Sequence, residues 1–202
     1  SIHKAGYSLD EVTDVFLTHL HFDHCGGGVK WQDRDKSILE PVFKNAHYWS
    51  NKSHWDWAIH PNPREKASFL SENLKPIEKS GQLKFVSRKQ QITKEVFKGI
   101  DVFFADGHTE SQMIPIINYK DQKIVFTADL LPSTGHIPLP YVMGYDTRPL
   151  TTLKEKSEFL SLAQEENWIL YLEHDPVNEC CLVNQTEKGI RLESTHKLAE
   201  FL

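Results

Sequence analysis

Short runs of β-branched and aromatic residues, separated by polar breaks, recur along the second half of the chain. The clearest are "GIDVFFA", "SQMIPIINY" and "QKIVFTAD", each with the length and composition of a strand. The tetrapeptide "YKDQ" (119–122) separates the last two and predicts a hairpin turn. A closing hairpin is indicated by "CCLVNQTEKGIRLE". The pattern predicts a sheet of several strands.

Helical periodicity is concentrated in two stretches. Within "NPREKASFLSENLKPIEKSG", apolar residues recur at helical spacing, which predicts a helix there. A second helix is predicted over "TLKEKSEFLSLAQEENW". With strands on both sides, these segments predict an α/β fold: a single domain over residues 1–202 with a helical insertion at about 50–80.

Composition narrows the range of partners. The 202 residues are 39% hydrophobic and 25% charged, as in ordinary globular domains. A net charge of −5 without clustered Lys and Arg argues against nucleic acid or an anionic membrane as partner. No apolar run approaches the roughly 20 residues of a membrane span. Three cysteines, two of them adjacent, do not suit a disulfide framework, so we expect a soluble cytoplasmic protein.

The segment "FLTHLHFDHCGGG" crowds four ionisable residues just after a predicted strand. Such crowding carries a desolvation cost unless a cation neutralises it. His19 and His21 share one face of an extended segment, whereas Asp23 and His24 follow in the next turn, so the two pairs suit two adjacent metal ions. Imidazole and carboxylate together favour Zn²⁺, with Fe and Mn as alternatives.

Three more candidate ligands follow predicted strands. His108 comes after "DVFFADG", Asp129 ends "KIVFTAD" and His174 follows "ILYLE". Because neighbouring strands end along a common edge of a sheet, we expect these side chains to converge on one pocket. Thr18, Thr109 and Asp175 stand next to candidate ligands and are the expected orienting partners of the imidazoles.

The motifs "THLHFDHCGG", "DGHT", "TADL" and "EHD" resemble, in order and separation, the metal motifs of the metallo-β-lactamase-fold superfamily of hydrolases. The resemblance implies an αβ/βα sandwich with a dinuclear metal site. It implies that one metal is held by His19, His21 and His108, the other by Asp23, His24 and His174, and that Asp129 bridges both.

The resemblance also implies a mechanism. A metal-bridging hydroxide attacks the substrate, and Asp23 passes a proton to the leaving group. Asp129 stands where the family's class B1 lactamases carry a Cys ligand, so antibiotic hydrolysis is not expected. The family's glyoxalase II enzymes add a helical C-terminal region, whereas only 28 residues follow His174 here. Its quorum-quenching lactonases carry a Tyr three residues after the bridging Asp, where this chain has Pro132.

The expected activity is hydrolysis of an ester or lactone bond in a small, partly apolar substrate. The residues expected to contact substrate are His136, Tyr141, Tyr145 and Trp55. A mononuclear iron oxygenase acting on persulfides is an alternative, because the same fold supports that chemistry. A catalytically impaired chain that only binds metal is another alternative.

The start of the sequence bears on the fold. Only 18 residues precede the first metal motif, where the family places several strands, so we expect the first sheet to be incomplete at its N-terminus. Either those strands lie outside this sequence or another chain supplies the edge. An open edge favours association, and we therefore expect a homodimer or an exchanged segment.

Overall fold

A computed structural model describes residues 2–33 and 37–202 of the chain. The chain separates after Ser87 into two units, Ser1–Ser87 and Arg88–Leu202. Each unit has its own sheet and its own buried apolar cluster. The expectation of a single domain with a helical insertion stays a prediction.

Parallel strands form the main sheet of the first unit. Among its described residues, the order is β1–β4–β5, and β2 pairs antiparallel with β3 beside them. The strands are β1 (Asp14–Phe16), β2 (Val29–Trp31), β3 (Leu39–Pro41), β4 (His47–Ser50) and β5 (Leu83–Phe85). Tyr48 on the central strand β4 is fully buried, and its hydroxyl donates to the carbonyl of Gly28 at 2.9 Å. The sheet thereby fixes the segment just after His19, His21 and His24.

Three α-helices accompany this sheet in the described part of the unit: α1 (Phe22–Cys25), α2 (Lys52–Ile59) and α3 (Ser71–Lys79). The prediction of a continuous helix through the segment from Asn62 onward was wrong in its first part. There the Asn62 side-chain oxygen accepts the backbone N–H groups of Arg64 and Glu65, at 2.9 and 3.1 Å. An Asn side chain that bonds nearby backbone favours a turn over a helix.

A larger sheet forms the second unit, in which every residue is described. Its order is β12–β11–β10–β9–β8–β7–β6, with the β9–β10 pair parallel and its other pairs antiparallel. The bounds are β6 (Ile92–Phe97), β7 (Ile100–Ala105), β8 (Gln112–Tyr119), β9 (Gln122–Phe126), β10 (Ile169–Tyr171), β11 (Cys180–Thr186) and β12 (Gly189–His196). The two predicted hairpins, β8–β9 and β11–β12, are confirmed.

One long helix, α4 (Pro149–Glu165), covers this sheet. Its Phe159 packs edge-to-face on Phe103 of β7 and on Trp168, with ring centroids 5.5 and 5.4 Å apart. Burial of such large aromatic groups supplies much of the driving force for folding. The mixed helix and sheet content confirms the predicted α/β class. Within residues 2–33 and 37–202, no helix is long and apolar enough to cross a membrane.

Candidate metal site

Three histidines of the first unit, His19, His21 and His24, lie together after β1, the first two in a loop and His24 in helix α1. The ring centroid of His19 is 3.9 Å from that of His24 and 4.7 Å from that of His21. His19 and His21 are buried, whereas Asp23 is exposed and its Oδ2 lies 3.5 Å from His24 Nε2. The sequence thus places three imidazoles and one carboxylate within a few residues and the fold packs the rings against one another.

Two long-range hydrogen bonds hold the loop in place. The backbone N–H of Leu20 donates to Nε2 of the buried His54 at 2.8 Å, and the N–H of Phe22 donates to the Ser68 carbonyl at 2.9 Å. His54 therefore carries its ring hydrogen on Nδ1. Its own place is fixed because Asn51 caps α2 by accepting the His54 backbone N–H. This role is structural, as is usual for a lone His, and no motif in the sequence marks the loop as its partner.

The imidazoles of this unit also have orienting partners. Thr18 Oγ1 lies 3.2 Å from His19 Nδ1, as expected from its adjacency. Glu65 Oε1 lies 3.3 Å from His21 Nε2, a contact that the sequence did not predict. The sequence gives no signal for this contact, because Glu65 is 44 residues away from His21 along the chain and acidic residues are common on protein surfaces. Residues that orient metal-binding imidazoles usually make contacts of this kind.

Asp129 is the centre of the corresponding cluster in the second unit. Its Oδ2 lies 3.1 Å from His108 Nε2, and its Oδ1 lies 3.2 Å from His174 Nε2. Glu173 brings another carboxylate to within 4.8 Å of the Asp129 and His174 donor atoms. His108 and Asp129 are buried, whereas the His174 side chain is 39% exposed. The cluster therefore has a buried part and a part open to solvent.

A strained turn aims Asp129. Ala128, two residues after the end of β9, has φ of +43°, a conformation that residues other than Gly adopt rarely. The turn is held by Thr127, whose Oγ1 donates to the carbonyls of Leu131 and Tyr171 at 2.8 and 3.0 Å. Strain of this kind persists where surrounding structure enforces it, and it concentrates at functional sites.

Asp146 orients His108. Its Oδ1 lies 3.0 Å from His108 Nδ1, and both side chains are buried. Because the carboxylate accepts the Nδ1 hydrogen, Nε2 is the nitrogen that carries a lone pair, and it faces Asp129. Sequence reasoning missed Asp146, which is 38 residues downstream in a "GYDT" segment that no motif marks.

Helix α4 anchors the segment that carries His108. The Glu155 carboxylate accepts the backbone N–H groups of Asp106 and Gly107, at 2.7 and 2.9 Å. Burial raises the pKa of Glu155 from its ordinary value. Arg148 also holds this segment, because its backbone N–H donates to the Gly107 carbonyl at 2.8 Å. The position of His108 thus depends on the packing of α4 onto the sheet.

The predicted orienting role of Asp175 takes a different form. Its carboxylate accepts the N–H and Oγ1–H of Thr134 at 3.0 and 2.8 Å, and also the N–H groups of Val177 and Asn178. Although burial opposes it, these bonds hold the pKa of Asp175 well below its usual range. Asp175 thereby ties the loop after His174 to the segment after Asp129.

The loop after Asp129 carries three of the predicted substrate contacts. Tyr141 and Tyr145 are 60% and 81% exposed. His136 is half-buried, with its Nδ1 2.9 Å from Ser133 Oγ, and burial lowers its pKa. Trp55 lies in the buried cluster of the first unit, in edge-to-face contact with Phe85. Contact of these four residues with substrate stays a prediction.

The chemistry of both clusters fits a divalent metal ion. Imidazole nitrogen and carboxylate oxygen are the ligand atoms that Zn²⁺, Fe and Mn accept, and in each unit several of these groups lie in close approach. Oriented imidazoles, such as the His108 ring on Asp146, are the usual companions of such sites. The division of the seven predicted ligands between two metals stays a prediction.

Comparison with solved structures shows the same fold in several hydrolases. A probable metal-dependent hydrolase from Staphylococcus aureus is 22% identical, with a TM-score of 0.79 over 97% of this chain and 68% of that one. AidC, a dizinc quorum-quenching lactonase, is 24% identical, with a TM-score of 0.77 over 98% and 69%. The hydrolase AbOPH is 18% identical, with a TM-score of 0.76 over 97% and 68%.

Sequence comparison decides the family. A search of curated proteins found no match. The family model of the metallo-beta-lactamase superfamily, however, matches residues 2–174, which is most of the chain and includes all seven predicted ligands. The protein therefore belongs to the metallo-β-lactamase superfamily.

Proposed function

We propose that this protein is a metal-dependent hydrolase that uses two divalent metal ions, most simply Zn²⁺, to cleave an ester or lactone bond. The observation that carries the proposal is the placement of Asp129, whose two carboxylate oxygens face different imidazoles, those of His108 and His174. A carboxylate whose two oxygens face the nitrogens of two different imidazoles is suited to bind two metal ions at once. Family membership supports the same chemistry.

Two metal ions, when bound, supply Lewis acidity and a hydroxide nucleophile at neutral pH. The chain's own groups do the remaining work. Asp146 and Thr18 fix the orientation of the His108 and His19 rings. Asp23 is exposed and adjacent to His24, so its carboxyl group is accessible to a leaving group and can pass it a proton.

The substrate that we propose is small and partly apolar. Large apolar groups, Leu139, Tyr141 and Tyr145, are exposed on the loop that follows Asp129. Exposed apolar groups on one loop favour contact with an apolar portion of a ligand. AidC, a quorum-quenching lactonase, supports this class only by analogy, since its identity of 24% establishes the fold alone.

Metal content and substrate panels test the proposal. We expect about two Zn²⁺ per chain by elemental analysis, and turnover of acyl lactones and aryl esters in preference to phosphodiesters. His21→Ala should lose metal and lower kcat/KM by about 10²-fold or more, because a ligand contributes at least as much as the groups that orient it. His60→Ala, which removes an exposed histidine of the same unit, is the matched control.

Two outcomes would contradict the proposal. One iron per chain with oxygen uptake on persulfides would favour the oxygenase alternative. Full metal content and turnover in His21→Ala would overturn the ligand assignment.

A further inference from the structure

We infer that Glu65 is a positioning residue for His21: it fixes the imidazole tautomer and thereby selects Nδ1 as the nitrogen that binds metal. This inference rests on the proposed function in that it takes His21 as a metal ligand. It concerns a residue that the family motifs do not include, in the segment between α2 and α3.

Glu65 is placed as a buried acceptor. Glu65 is only 3% exposed. Its Oε2 accepts two hydrogen bonds, from Trp57 Nε1 at 2.7 Å and from Asn62 Nδ2 at 2.6 Å. Its other oxygen, Oε1, lies 3.3 Å from His21 Nε2. Burying a carboxylate is costly unless its oxygens are satisfied, and here donors surround it.

The orientation of Asn62 is fixed independently. Its Oδ1 accepts the backbone N–H groups of Arg64 and Glu65, so its Nδ2 must be the atom that faces the Glu65 carboxylate. Nε1 of Trp57 can only donate. Both groups around Oε2 are therefore donors, and this position requires an acceptor.

The same reasoning fixes His21. With two donors on Oε2, the Glu65 carboxylate acts as an acceptor, and an acceptor at Oε1 requires the facing nitrogen to carry the hydrogen. His21 Nε2 is then protonated, and the lone pair of the neutral ring resides on Nδ1. The ring of Phe69, with its centroid 4.8 Å from that of His21, packs against the imidazole and further restricts its rotation.

The substitution Glu65→Gln separates this role from simple packing. The two donors around Oε2 would attract the amide oxygen of the new side chain, which turns its NH₂ group toward His21. His21 Nε2 would then have to accept, and the hydrogen would move to Nδ1, the nitrogen needed for metal. Glu65→Asp keeps an acceptor-only group and should restore part of the wild-type behaviour.

Zinc affinity is the first measurement, by competition with a chromophoric chelator on the full chain. We expect Glu65→Gln to weaken zinc binding about 10–100-fold, and Glu65→Asp to weaken it less. Glu78→Gln, at an exposed position on α3, is the matched control and should bind zinc as the wild type does. Unchanged affinity in a folded Glu65→Gln protein would overturn the inference.

The tautomer of His21 is the second measurement, and it is made on the wild-type protein alone. Long-range ¹H–¹⁵N spectra of the zinc-loaded protein should show the His21 hydrogen on Nε2, with the ring signals assigned by through-bond correlation to the His21 backbone. A hydrogen on Nδ1 would refute the inference. Neither readout involves turnover, so a protein that hydrolyses no ester but passes both tests would disprove the proposed activity alone.

Discussion

Gly107 shows how one residue can control the position of a candidate ligand. It lies between the end of β7 and His108, and it has no room for a side chain. A Cβ at this position would lie 2.3 Å from Thr152 Oγ1, 2.4 Å from Thr152 N and 2.6 Å from Thr152 Cα. Two of these atoms belong to the backbone of α4, so the helix itself would have to move.

We therefore expect Gly107→Ala to lower the free energy of unfolding by about 1–3 kcal/mol, the usual cost of overpacking. Urea unfolding at neutral pH measures it. Gly144→Ala is the control, because nothing lies within 4 Å of a Cβ there, and it should change stability by less than about 1 kcal/mol. Equal unfolding midpoints for the two variants would contradict the steric argument.

At the scale of elements, α4 organises two loops from opposite sides. Glu155 holds the segment before His108, as described above. The next residue, Lys156, is fully buried, and its ammonium group donates to the carbonyls of His136, Pro138 and Tyr141, at 2.9, 3.2 and 2.5 Å. Adjacent residues of one helix thus fix the segment that carries His108 and the loop that carries His136 and Tyr141.

The buried ammonium group of Lys156 gives a pH dependence. Burial lowers the pKa of Lys156 from 10.5 to about 8, so between these values the unfolded chain binds more protons than the folded protein. The contribution of Lys156 to stability therefore rises as the pH increases from about 8 to about 10.5, by on the order of 3 kcal/mol. Below about pH 8 this contribution is constant.

Comparison with Lys156→Met isolates this effect. Met has a similar length but leaves three carbonyls without their donor, so it should be destabilising at every pH. The difference in unfolding free energy between wild type and variant should grow in favour of the wild type between about pH 8 and pH 10. Lys154→Met, at an exposed position on α4, should show no such trend. A constant difference for Lys156→Met would contradict the assignment.

At the scale of the whole molecule, the chain's three cysteines are free thiols that lie in buried positions. Burial raises the pKa of Cys25 to about 12, of Cys180 to about 11 and of Cys181 to about 12. A thiol reacts through its thiolate, so these residues should be chemically quiet in the folded protein.

Alkylation tests this prediction. Native protein treated with iodoacetamide at about pH 8 should gain no label, whereas protein unfolded in guanidinium should gain one label per cysteine, counted by mass spectrometry. Labelling of native protein at Cys25 would contradict the prediction and would show that the segment from His19 to Cys25 opens in solution.

The extent to which sequence predicted structure depends on how local the information is. The β8–β9 hairpin and helix α4 follow from short-range pattern and turn chemistry, and were predicted. His108 and Asp129 stood out because each follows an apolar strand. By contrast, Asp146, Glu65 and Glu155 act on residues 38 to 49 positions away, so their roles depend on tertiary packing.

Lys156 has a consequence for how the loop after Asp129 can vary. Its three acceptors are main-chain carbonyls, which every amino acid supplies, so the anchoring does not depend on the side chains at 136 and 141. The path of the loop can persist while its surface chemistry is replaced. Libraries randomised at these positions should yield many folded proteins, and selectivity for new substrates can be sought in them without first rebuilding the scaffold.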